Sequence, residues 1–285
     1  MSLRTKVFLS SDNCNGFGVT STVIYGDHDA ILVDAQFTIA NAHRLVAELI
    51  ELDRKIVFIY ITHLHPDHYL GLEVIKHRYP DARVIAYKNA SSAINEAYDF
   101  KIQYWGNTVL GNNGANIKFS VEKWTEDKIL LEGETIQILG LMTGDCTDIA
   151  PLWLPASRTL IASDLVFADC HVWIADMRTP DLLKKWSESL DKIEALQPDI
   201  VIPGHSSGAL TLHPSAVSYT RQYISDFVRE LHRSDNAQQL MDAMDRIYPD
   251  YPLRVCLEYS ARILKDGYVW PGDWPLSLRN MPSGF

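Results

Sequence analysis

Cysteine is scarce in this chain. Four occur among 285 residues, Cys14, Cys146, Cys170 and Cys256, and none belongs to a CxxC pair. Their scatter speaks against a disulfide framework and points to free buried thiols in a reducing cytoplasm. Long apolar runs are also missing: no stretch approaches the ~18 residues that a membrane span needs. Clusters of Lys or Arg are absent, and the formal net charge is −10. A nucleic-acid groove and attraction to an anionic membrane surface are therefore not expected. The acidity also disfavours polyanionic substrates, although a metal site can override the global field. The first residues, MSLRTKVFLSSDNCNG, lack an apolar core and a small-residue cleavage site, so no secretion signal is expected. What remains is an ordinary globular balance, 47% hydrophobic and 22% charged, long enough for one large domain or two smaller ones.

Strand and helix signals alternate along the chain. VTSTVIY at 19–25 and AILVD at 30–34 predict a hairpin closed by Gly26-Asp27-His28-Asp29. Thr38 is placed to cap a helix carrying Ala42, Leu45, Val46, Leu49 and Ile50 at helical spacing. Strands are predicted at 56–61, 83–87, 135–141, 152–154, 159–162 and 199–202. Helices are predicted at 70–77, 91–97, from Thr179-Pro180 to about Leu196, and at 215–233. One or two more follow Asn236. The segment 98–116 has no clean period and mixes Tyr98, Phe100, Tyr104 and Trp105 with Gly and Asn. It is expected to be a long loop, either a lid or an aromatic cluster pinned to the core.

The densest chemistry lies at 63–68, His63-Leu64-His65-Pro66-Asp67-His68. His63 and His65, two apart, point to the same side of an extended segment, and Pro66 then turns the chain. The apolar run KIVFIYI at 55–61 delivers this loop as a buried strand would. One pair of ligands can thus serve one metal and the next pair its neighbour. Imidazole and carboxylate together suit zinc, iron or manganese. Asp145, Asp164 and His205 each follow a predicted strand, the usual place for site residues in layered α/β folds.

HLHPDH at 63–68, TGD at 143–145, SDL at 163–165 and PGH at 203–205 together resemble the metallo-β-lactamase-fold hydrolases, over about residues 15–225. The resemblance implies an α/β fold, a four-layer αββα sandwich, with a C-terminal helical extension. It places residues 1–234 in the metallo-β-lactamase-like domain and 235–285 in an extension packed on it. Two divalent ions are implied, zinc ahead of iron or manganese. His63 and His65 would bind the first; Asp67, His68 and His205 the second; Asp164 would bridge them. The chain departs from the pattern at Asp145, where the family usually has His; Asp148 is the second choice there. Cys146 could ligate as thiolate but reads more simply as a small buried thiol. Asp in place of His makes the site one unit less positive. It should then tolerate harder metals better and favour a small neutral or weakly charged substrate over a phosphodiester.

The expected function is hydrolysis of an ester, lactone, thioester or lactam/amide-like bond in a small molecule, through hydroxide formed from metal-bound water. Asp67 would orient water or accept its proton. His171 is a second catalytic candidate, and Tyr104, Trp105 and Trp173 are candidates to reach the pocket. The rival reading is a di-iron oxidoreductase or oxygenase built on His63, His65 and Asp145, a two-His-one-carboxylate set. A non-catalytic metal-binding module is a third. Tyr248, Tyr251, Trp270 and Trp274 in the tail would cover the protein's own core or the partner in a homodimer.

Overall fold

The computed structural model describes residues 3–10, 16–207, 210–281 and 283–285; Cys14 lies outside them. Strands that are mostly buried on both faces build two sheets. The first has the order β1 (Arg4–Leu9), β2 (Thr20–Tyr25), β3 (Asp29–Val33), β4 (Lys55–Tyr60), β5 (Arg83–Tyr87) and β6 (Glu122–Trp124). The second runs β11 (Ile200–Ser206), β10 (Thr159–Ala168), β9 (Leu152–Leu154), β8 (Glu134–Ile138) and β7 (Lys128–Leu131). Strands β3 to β6 are mutually parallel, as are β10 and β11, and the remaining pairs are antiparallel.

Each parallel step is bridged by a helix, because a parallel connection must cross back over the sheet. Helices α1 (Ile39–Leu52), α2 (Leu72–Arg78) and α3 (Asn89–Lys101) serve the first sheet, and α4 (Pro180–Ala195) the second. Helices α5 (Ser215–Arg233), α6 (Ala237–Ile247) and α7 (Arg254–Asp266) complete the fold. Period two sorts the strand residues. Ile31, Val33, Tyr60 and Ile85 meet Ile136, Leu152, Ile161 and Ile202 between the sheets. Their neighbours Leu32, Ile59, Val84, Leu160 and Val201 pack in the cluster that also takes in the buried faces of the helices. Two sheets are thus covered by helices on both outer faces. No helix among the described residues is long and apolar enough to cross a membrane.

The predicted caps form: Thr38 Oγ1 accepts from the Asn41 amide at the start of α1, and Thr179 from the Leu182 amide at the start of α4. The expected loop at 98–116 does not. Helix α3 continues to Lys101 and then widens into a π-helix, Ile102–Leu110, followed by a 3₁₀ turn at Gly111–Asn113. A helix bonded from i to i+5 carries no 3.6-residue repeat, so its sequence reads as aperiodic. Strands β6 and β7 also escape the sequence reading; they are short, and only alternate residues of β7 are buried.

The two sheets are joined by the Glu132 carboxylate. It accepts from the amides of Asp27, His28 and Asp29 at 3.0, 2.7 and 2.7 Å, between the β2–β3 and β7–β8 turns. These three donors hold the carboxyl down at about 2. Gly26 makes room for it, since a Cβ there would lie 2.4 Å from Glu132 Cδ.

Candidate metal centre

The segment after β4 leaves the sheet as predicted, and Pro66–His68 closes into a 3₁₀ turn. This turn lies at the carboxyl ends of the parallel strands, where α/β sheets place their ligands. Asp164 sits in the middle of β10, at a break in its register with β11. The break starts at Ser163, whose φ of 50° is left-handed and unusual for a non-glycine residue. Asp164 is 0% exposed. Gly204 of β11 lies directly beneath it: a Cβ there would be 1.8 Å from Asp164 Oδ1. His205 follows.

Seven side chains converge. His63 Nε2 lies 3.4 Å from Asp164 Oδ2. His65 Nδ1 is 3.0 Å from Asp145 Oδ2 and 3.9 Å from Asp164 Oδ2. On the other side, His68 Nε2 is 3.2 Å from Asp164 Oδ1 and 3.8 Å from Asp67 Oδ2. His205 Nε2 is 3.2 Å from Asp164 Oδ2 and 3.4 Å from Asp67 Oδ2. The donor atoms fall into three groups of metal-binding size: His63, His65, Asp145 and Cys146; His63, His68 and Asp164; Asp67, His68 and His205. Asp148 is in none of them.

Each ring is held through its other nitrogen. Thr62 Oγ1 pairs with His63 Nδ1 at 2.9 Å, and Asp34 Oδ2 with His68 Nδ1 at 2.8 Å. Asp176 Oδ2 pairs with His65 Nε2 at 3.0 Å, and His205 Nδ1 donates to the Phe17 carbonyl at 2.8 Å. Asp34 is itself fixed by the Thr62 amide, 2.9 Å away. Such partners orient metal-binding imidazoles and raise their basicity. Asp34, Asp176 and Phe17 were not picked out from the sequence. Asp34 does end the apolar strand AILVD, which is a usable signal; Asp176 and Phe17 have none.

Whether this arrangement fits metal is answered by its orphaned atoms. Nε2 of His63, Nε2 of His68, Oδ1 of Asp145 and Oδ1 of Asp164 are buried without a hydrogen-bond partner. Four such atoms in one buried cluster would be costly without a cation among them. The imbalance also shows in proton affinities. Burial lowers His63 to about 4 and lifts the Asp145 carboxyl to about 7. Against the cost of burial, the Asp164 carboxylate holds His68 and His205 above the ordinary histidine range. Burial pushes the Cys146 thiol up. The residues fit divalent cations.

A family model described as the metallo-beta-lactamase superfamily matches residues 14–205. The chain belongs to that superfamily. Solved members share the fold at low identity. A metallo-beta-lactamase family protein from Thermus thermophilus is 17% identical, with a TM-score of 0.65, covering 93% of this chain and 92% of its own. A beta-lactamase domain protein from Burkholderia ambifaria is 14% identical, with a TM-score of 0.63 and coverages of 93% and 86%. A metallo-beta-lactamase from Pontibacter korlensis is 16% identical, with a TM-score of 0.53 and coverages of 79% and 94%. No curated protein matches the chain. Superfamily membership, with the His and Asp clusters, supports a divalent metal site and a metal-dependent hydrolase.

A cavity of about 60 Å³ opens on the cluster. Its floor is His65, Asp67, Asp145, Asp164, Asp176 and His205, and its walls include Phe17, Trp105, Trp173, Trp270 and Trp274. Trp105 comes from the π-helix and Trp270 and Trp274 from the tail, so the tail tryptophans line this chain's own cavity. Tyr104 does not line it; its hydroxyl accepts from Trp270 Nε1 at 2.9 Å. The expectation for His171 is corrected as well. It lies outside the cavity lining, with Nδ1 2.8 Å from the Tyr223 hydroxyl, and burial lowers it to about 4. It is a hydrogen-bonded core histidine. Lys101, overlooked in the sequence, does line the cavity. Burial brings its ammonium down to about 8, against the pull of the Asp176 and Asp273 carboxylates.

Asp176→Asn should weaken metal binding about 10- to 100-fold by releasing His65. A competition titration against a chromophoric chelator measures this, and excess metal should restore turnover. Unchanged affinity would remove Asp176 from the site's support.

Proposed function

We propose that the protein is a dinuclear metal-dependent hydrolase acting on an ester, lactone, thioester or amide-like bond of a small molecule. The observation that supports this most directly is the gathering of four buried, unpartnered ligand atoms, from His63, His68, Asp145 and Asp164, in one cluster whose two carboxylates line a narrow cavity. His63, His65 and Asp145 would hold one ion, Asp67, His68 and His205 the other, and Asp164 would be shared. Bound there, two divalent ions lower the pKa of water from about 15.7 toward about 7 and polarise a carbonyl.

The chain's own groups supply the rest. Asp67, on the cavity floor, orients the attacking water or takes its proton. Asp34 and Asp176 keep two imidazoles turned toward the centre. The tryptophan walls hold an apolar substrate body and exclude bulk water, which strengthens every charge interaction inside. Zinc is the first expectation. The His63–His65–Asp145 set also suits iron, and this keeps a di-iron oxidoreductase as the second reading.

Elemental analysis of protein purified without added metal, followed by a panel of esters, thioesters, lactones and β-lactams, tests the proposal. About two zinc ions per chain and turnover abolished by chelation are expected. About two iron ions with oxygen uptake, and no hydrolysis, would replace hydrolysis with oxidation.

A further inference from the structure

Lys101 presents an unsolved charge. The residue is 3% exposed, and buried lysines are seldom left without an ionic partner. Its ammonium has three donors. One goes to the Gly272 carbonyl at 3.1 Å, the one acceptor it contacts among the described residues. No carboxylate of a described residue lies within ion-pairing distance of it. Its acidic neighbours each commit one oxygen elsewhere, Asp273 to Arg178 at 2.7 Å and Asp176 to His65 at 3.0 Å; their second oxygens are buried without a hydrogen-bond partner and lie beyond ion-pairing distance of the ammonium. Yet Lys101 lines the same cavity as the proposed metal ligands, beside Trp105, Trp173 and Trp270. The Trp270 ring, 5.7 Å from Nζ, offers a cation–π face but no counter-ion.

We propose that the substrate carries a single carboxylate and that Lys101 binds it, making Lys101 a specificity-determining residue for the hydrolysis proposed above, on which this inference rests. The two spare N–H groups match the two oxygens of a carboxylate. Lys101 and Arg178 together already balance Asp176 and Asp273, so a dianion such as a phosphate monoester would add two uncompensated charges where a monoanion adds one. The tryptophan walls suit an apolar spacer between the carboxylate and the scissile bond. A monoanion also agrees with a metal centre made less positive by Asp145, since the anionic handle then binds at Lys101 and not at the ions.

The test compares mono-(4-nitrophenyl) glutarate with uncharged 4-nitrophenyl valerate on metal-loaded protein. The wild type should favour the half-ester by about tenfold or more in kcat/KM, the worth of a buried charge-assisted hydrogen bond, with the preference carried in KM. Lys101→Met should bring the ratio to about 1, and Lys101→Arg should keep most of it. An equal ratio in the wild type and in folded Lys101→Met overturns the inference and leaves the hydrolase reading standing. If neither ester is turned over, calorimetry with glutarate and glutaramide decides. Tighter binding of glutarate, lost in Lys101→Met, upholds Lys101 while the hydrolase reading fails. Should Lys101→Met not fold, a wild type that binds glutarate no tighter than glutaramide refutes the inference unaided.

Discussion

Asp164→Asn is expected to leave less than one metal ion per chain and to cut hydrolysis by about 10³-fold or more. Asp164 faces all four histidines. Its Oδ1 points at His68, and its Oδ2 at His63, His65 and His205. Asparagine preserves the volume but offers one oxygen and no charge. On the proposed assignment, losing the shared anion would remove a ligand from both ions and the charge that offsets their mutual repulsion. The several kcal/mol that such ions supply to the transition state corresponds to about three decades of rate at 1.36 kcal/mol each. Elemental analysis and kcat/KM on the best substrate of the panel measure the two effects together. A variant that keeps two ions and its turnover would show that the positions are filled independently of Asp164.

Gly204→Ala adds one methyl group and should be nearly as damaging. The new Cβ would lie 1.8 Å from Asp164 Oδ1, 2.7 Å from the Ser163 carbonyl carbon and 2.8 Å from the Asp164 amide nitrogen. Two of these three atoms are backbone in a strand buried along its whole length, so no flexible side chain can absorb the clash. Overpacking of this kind costs about 3 kcal/mol at its usual upper end. In a chain of this size that is about 5 °C in melting temperature. Melting of the metal-free variant reads the strain directly, and metal content reads its effect on Asp164. A fall of under about 2 °C with full metal content would mean that β10 and β11 can separate locally without cost.

Much of this fold was legible because the strands obey period two and the helices carry their own caps. Ile31, Leu32 and Val33 divide between the two cores by position alone. The residues that converge at the centre were also visible, since His63, His65, Asp67 and His68 share one short loop and Asp145, Asp164 and His205 were expected just after strands, although Asp164 and His205 prove to lie within β10 and β11. What could not be read were residues whose role depends on a ring brought from elsewhere. Asp176 is separated from His65 by 111 positions and Phe17 from His205 by 188, and nothing local distinguishes them from surface residues. Lys101 was hidden for a related reason. At the end of a helix a lysine usually faces solvent, and only the tail, folding back with Gly272 and Trp270, buries this one. His171 misled in the opposite direction, because proximity in sequence to Asp164 did not carry its ring into the cavity.

The supports of the four imidazoles bear on how the centre fills. In each proposed set, one ring is backed by a carboxylate, His65 by Asp176 and His68 by Asp34, and the other by a neutral oxygen, that of Thr62 or Phe17. Each set also contributes one unshared carboxylate, Asp145 or Asp67. With Asp145 in place of histidine the two positions are therefore near copies of each other. On the proposed ligand assignment, neither is expected to load first as a high-affinity anchor. Any spacing between the two binding constants would then come from repulsion between the ions, and a half-loaded sample is expected to be a mixture of two singly occupied forms.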